Sequence, residues 1–133
     1  MQSTLATTAR LNRLSGIILD ASIAVHKEMG PGLLETVYQH CLIEELNKRD
    51  VLVKVSVTTP LFYKGIALNK DYVIDLLVEN EIILELKAVE QLLPVHEAQI
   101  ISYLKLADKR LGFLINFNVP LLKQGFKRFV NKF

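Results

Sequence analysis

Asp75, Glu85 and Lys87 are the residues of this 133-residue chain whose types and spacing can do chemistry. They interrupt two apolar runs, Tyr72-Val73-Ile74-Asp75-Leu76-Leu77-Val78 and Ile82-Ile83-Leu84-Glu85-Leu86-Lys87. Both runs have the aliphatic, β-branched make-up of buried strands, and Glu79-Asn80-Glu81 between them is a polar break. Strand side chains alternate between faces, so Glu85 and Lys87 project to one side, and hairpin pairing of the runs can put Asp75 beside Glu85. Carboxylates and an ammonium within an apolar sheet are costly unless something compensates them. A hard divalent cation, Mg²⁺ or Mn²⁺, bound by Asp75, Glu85 and the Leu86 carbonyl would do so. Such a cation can activate water and stabilise charge on a phosphoryl group, with Lys87 supplying a further positive charge. A bare Glu-x-Lys is common on exposed strands; the signal is that these charges fall on the inward face of apolar runs.

Further polar groups stand on apparent helices. Glu35 occupies a first helical turn, where acids are favoured by the helix dipole, and shares a face with Tyr38 three residues on. Both can look into one cleft, Tyr38 as a substrate contact, although a lone tyrosine is more often a core residue with its hydroxyl at the rim. Gln99 and Tyr103, four apart, form a polar stripe. Gln99 can hold a water or a strand phosphate, and Tyr103 can contact a nucleic-acid backbone or stack on a base. Without context the stripe reads as a solvated helix face. His26 precedes Gly30-Pro31-Gly32 and can reach the same site as a further metal ligand, though a lone helical histidine is more often structural. His40 and His96 have no partner at zinc-ligand spacing.

The elements that must position these residues follow from periodicity. Leu14, Ile17, Ile18, Ala21, Ala24 and Val25 predict a helix from about Leu11 to Met29, stopped by Gly30-Pro31-Gly32. A second helix is predicted from Leu33 to Arg49, and a strand from Val51 to Tyr63 broken or ended near Pro60. Lys64-Gly65 turns the chain, and the strands of Asp75 and Glu85 follow. A helix from Val95 to Ala107, a strand from Leu111 to Phe117 and an amphipathic strand over Gly125–Val130 complete an α/β (α+β) sheet with helices packed on it. Residues 1–10 are expected to be a flexible tail and residues 11–133 one domain.

Composition narrows the classes further. No apolar run reaches the ~18 residues of a membrane span, and the start lacks the apolar stretch of a secretory signal. The lone Cys41 excludes a disulfide framework and a cysteine zinc site and fits a reducing cytoplasm. The net charge of +2 is unevenly spread. Asp71, Asp75, Glu79, Glu81, Glu85, Glu90 and Glu97 face Lys87 alone in one stretch. Lys105, Lys109, Arg110, Lys123, Lys127, Arg128 and Lys132 face Asp108 alone in the next. An acidic centre beside a basic tail suits a metal site next to a phosphate-binding surface. A solvated surface would show the same imbalance.

Taken together, the sequence resembles the PD-(D/E)xK nuclease superfamily, and within it the small bacterial GxxExxY family. The resemblance runs from about Ile17 to Val130. It is carried by Val25-His26, Gly30-Pro31-Gly32-Leu33-Leu34-Glu35-Thr36-Val37-Tyr38, Tyr63-Lys64-Gly65, Asp75-Leu76-Leu77-Val78, Glu85-Leu86-Lys87-Ala88-Val89, Gln99 with Tyr103, and Leu114-Ile115-Asn116-Phe117. It implies a restriction-endonuclease-like αβββαβ core. Asp75 and Glu85 would carry Mg²⁺ or Mn²⁺, Lys87 would be the catalytic lysine and Glu35 the helix-borne acid. Gln99 and Tyr103 are similar to the Q-x-x-x-Y motif of the RecB-type and lambda-exonuclease-like branches, and His26 to a metal-binding histidine of the former. Ile74 stands where the motif name has proline, and Ser56 with Thr58-Thr59 where a glutamine is expected. The implied activity is a metal-dependent nuclease acting on DNA; the alternatives are RNA chemistry or a non-catalytic nucleic-acid- or partner-binding module. With no helix-turn-helix and no long basic arm, target choice is expected from a protein partner, a homo-oligomer or DNA ends.

Overall fold

A computed structural model describes residues 4–133. Two helices, α1 (Thr4–Met29) and α2 (Glu35–Lys48), precede three strands, β1 (Val53–Tyr63), β2 (Ile66–Val78) and β3 (Ile82–Lys87). Then come α3 (Pro94–Leu106), β4 (Leu111–Asn116), a short 3₁₀ turn (Leu122–Gly125) and β5 (Phe126–Val130). The strands form one sheet in the order β1-β2-β3-β4-β5. All neighbours are antiparallel except β3 and β4, which run parallel because α3 crosses between them. This is the α+β order expected of a restriction-endonuclease-like core.

The helices cover both faces of the sheet. Ile18, Ala21 and Val25 of α1 and Leu42 and Leu46 of α2 pack with Leu76, Leu84, Leu86, Phe113 and Ile115. On the other face Ile100 and Leu104 of α3 pack with Ile74, Leu77, Ile83 and Leu114. Burial on both faces explains why β3 and β4 read as continuous apolar runs rather than alternating ones.

The chain differs from the sequence expectation at its start. Thr4–Arg10, assigned above to a flexible tail, are the first turns of α1, and Met1–Ser3 lie outside the described residues. Arg10 donates from Nη2 to Glu81 Oε1 across 2.6 Å, and Leu11 is buried behind it. The helix is thus fastened to the β2–β3 turn, a contact no local pattern reveals. β1 is interrupted near Pro60, as expected, by a register shift between Pro60 and Phe62, and continues to Tyr63. Lys64 and Gly65, at φ 49° and 80°, make the two-residue hairpin turn to β2.

Candidate active site

The site is built where two strand ladders fail at one residue. β2 and β3 pair at Val78↔Ile82, Leu77↔Ile83 and Leu76↔Leu84, and pairing stops there. The next rung would join Asp75 to Glu85. Side chains take over instead: the Leu86 N–H donates to Asp75 Oδ2 across 2.9 Å, and the Asp75 N–H to Glu85 Oε1 across 3.3 Å.

On the other flank, β1 and β2 pair at Val55↔Leu76 and Val57↔Ile74 but skip Ser56 and Asp75, and Ser56 has a φ of 52°. Ile74 packs on the α3 side while Leu76, two residues on, packs on the α1–α2 side. Residues two apart in a regular strand share a face, so β2 rolls at Asp75. Simple alternation describes Glu85 and Lys87, which share the α3 side with Ile83. Asp75 joins them by the same alternation, two residues from Leu77 and opposite Glu85, and the roll brings Ile74 to that side as well.

Lys87 ends β3 opposite Asn116 of the parallel β4, and its carbonyl accepts the Phe117 N–H across 3.0 Å. Asn116 is buried and clamps the segment that leaves Lys87. Its Oδ1 accepts from the Val89 N–H (3.0 Å) and the Asn118 N–H (3.2 Å), and its Nδ2 donates to the Val89 carbonyl (2.9 Å). Gly125 lies against this clamp; a Cβ there would come within 2.1 Å of the Asn116 carbonyl oxygen. Sequence alone assigns Asn116 no task. The available signal was an amide at the end of the apolar run Leu111–Ile115.

Three helix-borne residues approach the same groups. Glu35 opens α2, and burial raises its carboxyl; the Lys87 charge opposes the rise and Asp75 adds to it. The Tyr103 hydroxyl is also raised, first by burial and then by the Glu85 charge, with Asp75 contributing. Gln99 Nε2 donates to the Tyr103 hydroxyl across 3.0 Å, and the Tyr103 ring stacks on Tyr72 with centroids 4.7 Å apart. Lys87 and Gln99 line one open cleft of about 460 Å³.

Glu85 carries the strongest perturbation. Burial, followed by the Asp75 charge, pushes its carboxyl up to about 9. Two carboxylates this close, one of them buried, fit a hard divalent cation, whose charge would outweigh both causes of the shift. The bonds to backbone N–H groups use one oxygen of each, leaving Asp75 Oδ1 and Glu85 Oε2 as donors. Among the described residues no group of three or more His, Cys, Asp or Glu side chains forms a ligand shell. A cation here would therefore rely on the carboxylate pair, backbone carbonyl and water, the set Mg²⁺ favours.

Two expected members do not join. His26, expected as a metal ligand, engages the Val119 carbonyl through Nε2 at 2.7 Å. That nitrogen must carry a proton to make the bond, so it has no lone pair for a metal. Tyr38, expected as a substrate contact, is fully buried and stacks on Phe117 at 4.7 Å. Its hydroxyl donates to the Gly30 carbonyl (2.5 Å) and accepts the Leu33 N–H (3.1 Å), pinning the loop that leads to Glu35. The basic tail is also divided. Lys127 pairs with Glu97 of α3 at 3.1 Å, whereas Arg128, next along β5, reaches Asn12 and Ser15 of α1 at 3.4 and 3.5 Å.

A five-stranded mixed sheet with an Asp…Glu-x-Lys set at the end of its central strands defines a class, the nuclease-like α+β folds. The family model of the PD-(D/E)XK nuclease superfamily matches residues 12–129, and the chain belongs to that superfamily. No curated protein and no solved structure matches it significantly. No helix among the described residues is long and apolar enough to cross a membrane.

Proposed function

We propose that the protein is a cytoplasmic, Mg²⁺- or Mn²⁺-dependent nuclease of the GxxExxY type that hydrolyses phosphodiester bonds in DNA. The observation that carries this is the Asp75–Glu85 carboxylate pair, opened where two ladders fail, with Lys87 ending the same strand. Asp75, Glu85 and the Leu86 carbonyl would hold the cation, which when bound would supply a Lewis acid for the phosphoryl oxygens and lower the pKa of water.

The side chains do the rest. Lys87 donates its charged N–H groups to the oxygens on which negative charge gathers as water attacks phosphorus and the bond to the leaving oxygen breaks. Glu35, within electrostatic reach of Lys87 and Asp75, keeps that ammonium oriented toward the cleft. Gln99 and Tyr103 hold the strand. Asn116 fixes the exit of β3 so that Lys87 stays at the mouth. Target choice comes from a protein partner, a second copy or DNA ends.

The test is cleavage of linear, circular and single-stranded DNA with Mg²⁺ or Mn²⁺, with Lys87→Ala as control. Metal-dependent cutting by the wild type and its loss in the variant support the proposal. Binding of DNA without cutting under any metal would make the protein a non-catalytic module of the same fold.

A further inference from the structure

His96 lines the cleft that holds Lys87 and Gln99 and has no part in the chemistry above. It is the third residue of α3, and its Nδ1 accepts the Leu93 N–H across 3.0 Å, closing the start of the helix. That bond also fixes the ring. A nitrogen that accepts a hydrogen bond carries no proton, so the neutral imidazole bears it on Nε2, as a donor.

The surroundings select what this donor can meet. His96, Gln99 and Tyr103 recur at i, i+3 and i+7, the spacing of one helix face. The cleft of about 460 Å³ is lined by Lys87, Val95, His96, Ala98, Gln99 and Ser102. An ammonium, an imidazole, an amide and a hydroxyl line it without a carboxylate. The first turn of α3 adds the positive end of the helix dipole. A multidentate anion of strand length fits such a wall better than a neutral ligand.

We propose that His96 Nε2–H donates to a phosphate oxygen of the bound strand, making the α3 wall of this cleft the track along which the nucleic-acid backbone lies. The inference rests on the nuclease reading and assigns His96 a binding role in it. Ser102 lies farther along the same wall.

The experiment compares wild-type enzyme with His96→Glu and His96→Gln in steady-state cleavage of DNA. Glutamate and glutamine at this helical position both retain an acceptor for the Leu93 N–H, so the cap survives in each. If His96 only caps the helix, His96→Gln keeps wild-type kinetics and His96→Glu raises KM no more than Ala98→Glu, which puts the same charge on the same cleft wall. If it binds phosphate, His96→Glu raises KM about ten- to a hundredfold with a much smaller change in kcat, while His96→Gln, which still offers an N–H, largely rescues it. A His96→Glu enzyme with a KM no higher than that of Ala98→Glu overturns the proposal and leaves the nuclease reading standing. A wild type that neither binds nor cuts nucleic acid overturns both. Should His96→Glu fail to fold, the Nε2 resonance of ¹⁵N-labelled wild type decides: it shifts on titration with a single-stranded oligonucleotide if the proposal holds. An unmoved resonance at saturation overturns it.

Discussion

Asp75 and Glu85 meet one residue beyond the last paired rung of β2 and β3, and the Asp75 N–H donates to Glu85 Oε1 across 3.3 Å. A backbone bond normally made to a carbonyl is made here to a carboxyl group. The sheet is kept together at that point by the residues that open it. Glu85 is buried beside a second acid as a result, and its carboxyl is held at about 9.

This has a stability consequence in the metal-free protein. Glu85 moves from its ordinary value of 4.5 in the unfolded chain to about 9 in the folded one, so between those values the folded state holds the extra proton. The contribution is fully present below about 4.5 and is lost as pH rises toward 9, by at most about 1.4 kcal/mol per pH unit. Thermal melts from pH 5 to 9 should show Tm falling across this range, and Glu85→Gln should flatten the slope. Parallel slopes in the two proteins would show that Glu85 is already ionised.

Metal binding should be coupled to the same proton. A carboxylate ligand must be deprotonated, so Mn²⁺ affinity rises with pH up to about 9, at most about tenfold per unit, and binding near neutrality releases about one proton. Calorimetry in buffers of different ionisation enthalpy measures the release directly. Asp75→Asn removes a ligand charge and should weaken Mn²⁺ binding; unchanged affinity would take Asp75 out of the metal site.

Lys87→Ala should cut turnover about a hundred- to a thousandfold, the cost of one preorganised donor at roughly 2.7–4 kcal/mol, while Mn²⁺ affinity stays near wild type and DNA affinity falls far less than turnover. Rate and binding measured on the same preparations separate the effects. Equal cleavage by the variant would mean that Lys87 does not stabilise the transition state.

Tyr38→Phe keeps the stack on Phe117 but deletes the bonds to Gly30 and Leu33. Stability should fall by about 0.5–1.5 kcal/mol, the net worth of a hydrogen bond, because Gly30 and the exposed Leu33 can turn to water. KM for DNA should hold. A large rise in KM with unchanged Tm would restore the substrate contact first expected of this tyrosine.

Gly125→Ala should be more damaging than an alanine on a surface turn, since its Cβ would overlap the Asn116 carbonyl oxygen. Overpacking of this kind costs about 1–3 kcal/mol, and relief by moving Asn116 would loosen the Val89 clamp beside Lys87. A melt gives the first effect and residual cleavage below Tm the second. Wild-type values for both would show that the turn yields without disturbing the clamp.

Local physics made much of this protein legible in its sequence. β3 runs from Ile82 to Lys87 as its apolar run predicts, and α3 begins at Pro94, where a fixed φ and a missing N–H suit a first turn. Asp75, Glu85 and Lys87 stood out because charge on a buried run is rare, and Gly30-Pro31-Gly32 ended α1 because glycine and proline act on their own backbone. Tertiary structure decided what depends on partners distant in sequence. Tyr38 went to the Gly30–Leu33 loop and His26 to the Val119 carbonyl, because each polar atom buried by packing takes the nearest backbone group. Lys127 and Arg128 fell on opposite faces once β5 joined the sheet. The roll at Ser56 and Asp75 arises only when β1 and β3 flank β2 and impose two registers on one strand. A side chain's identity is fixed by the sequence, but its partner is fixed by whichever element the core packs against it.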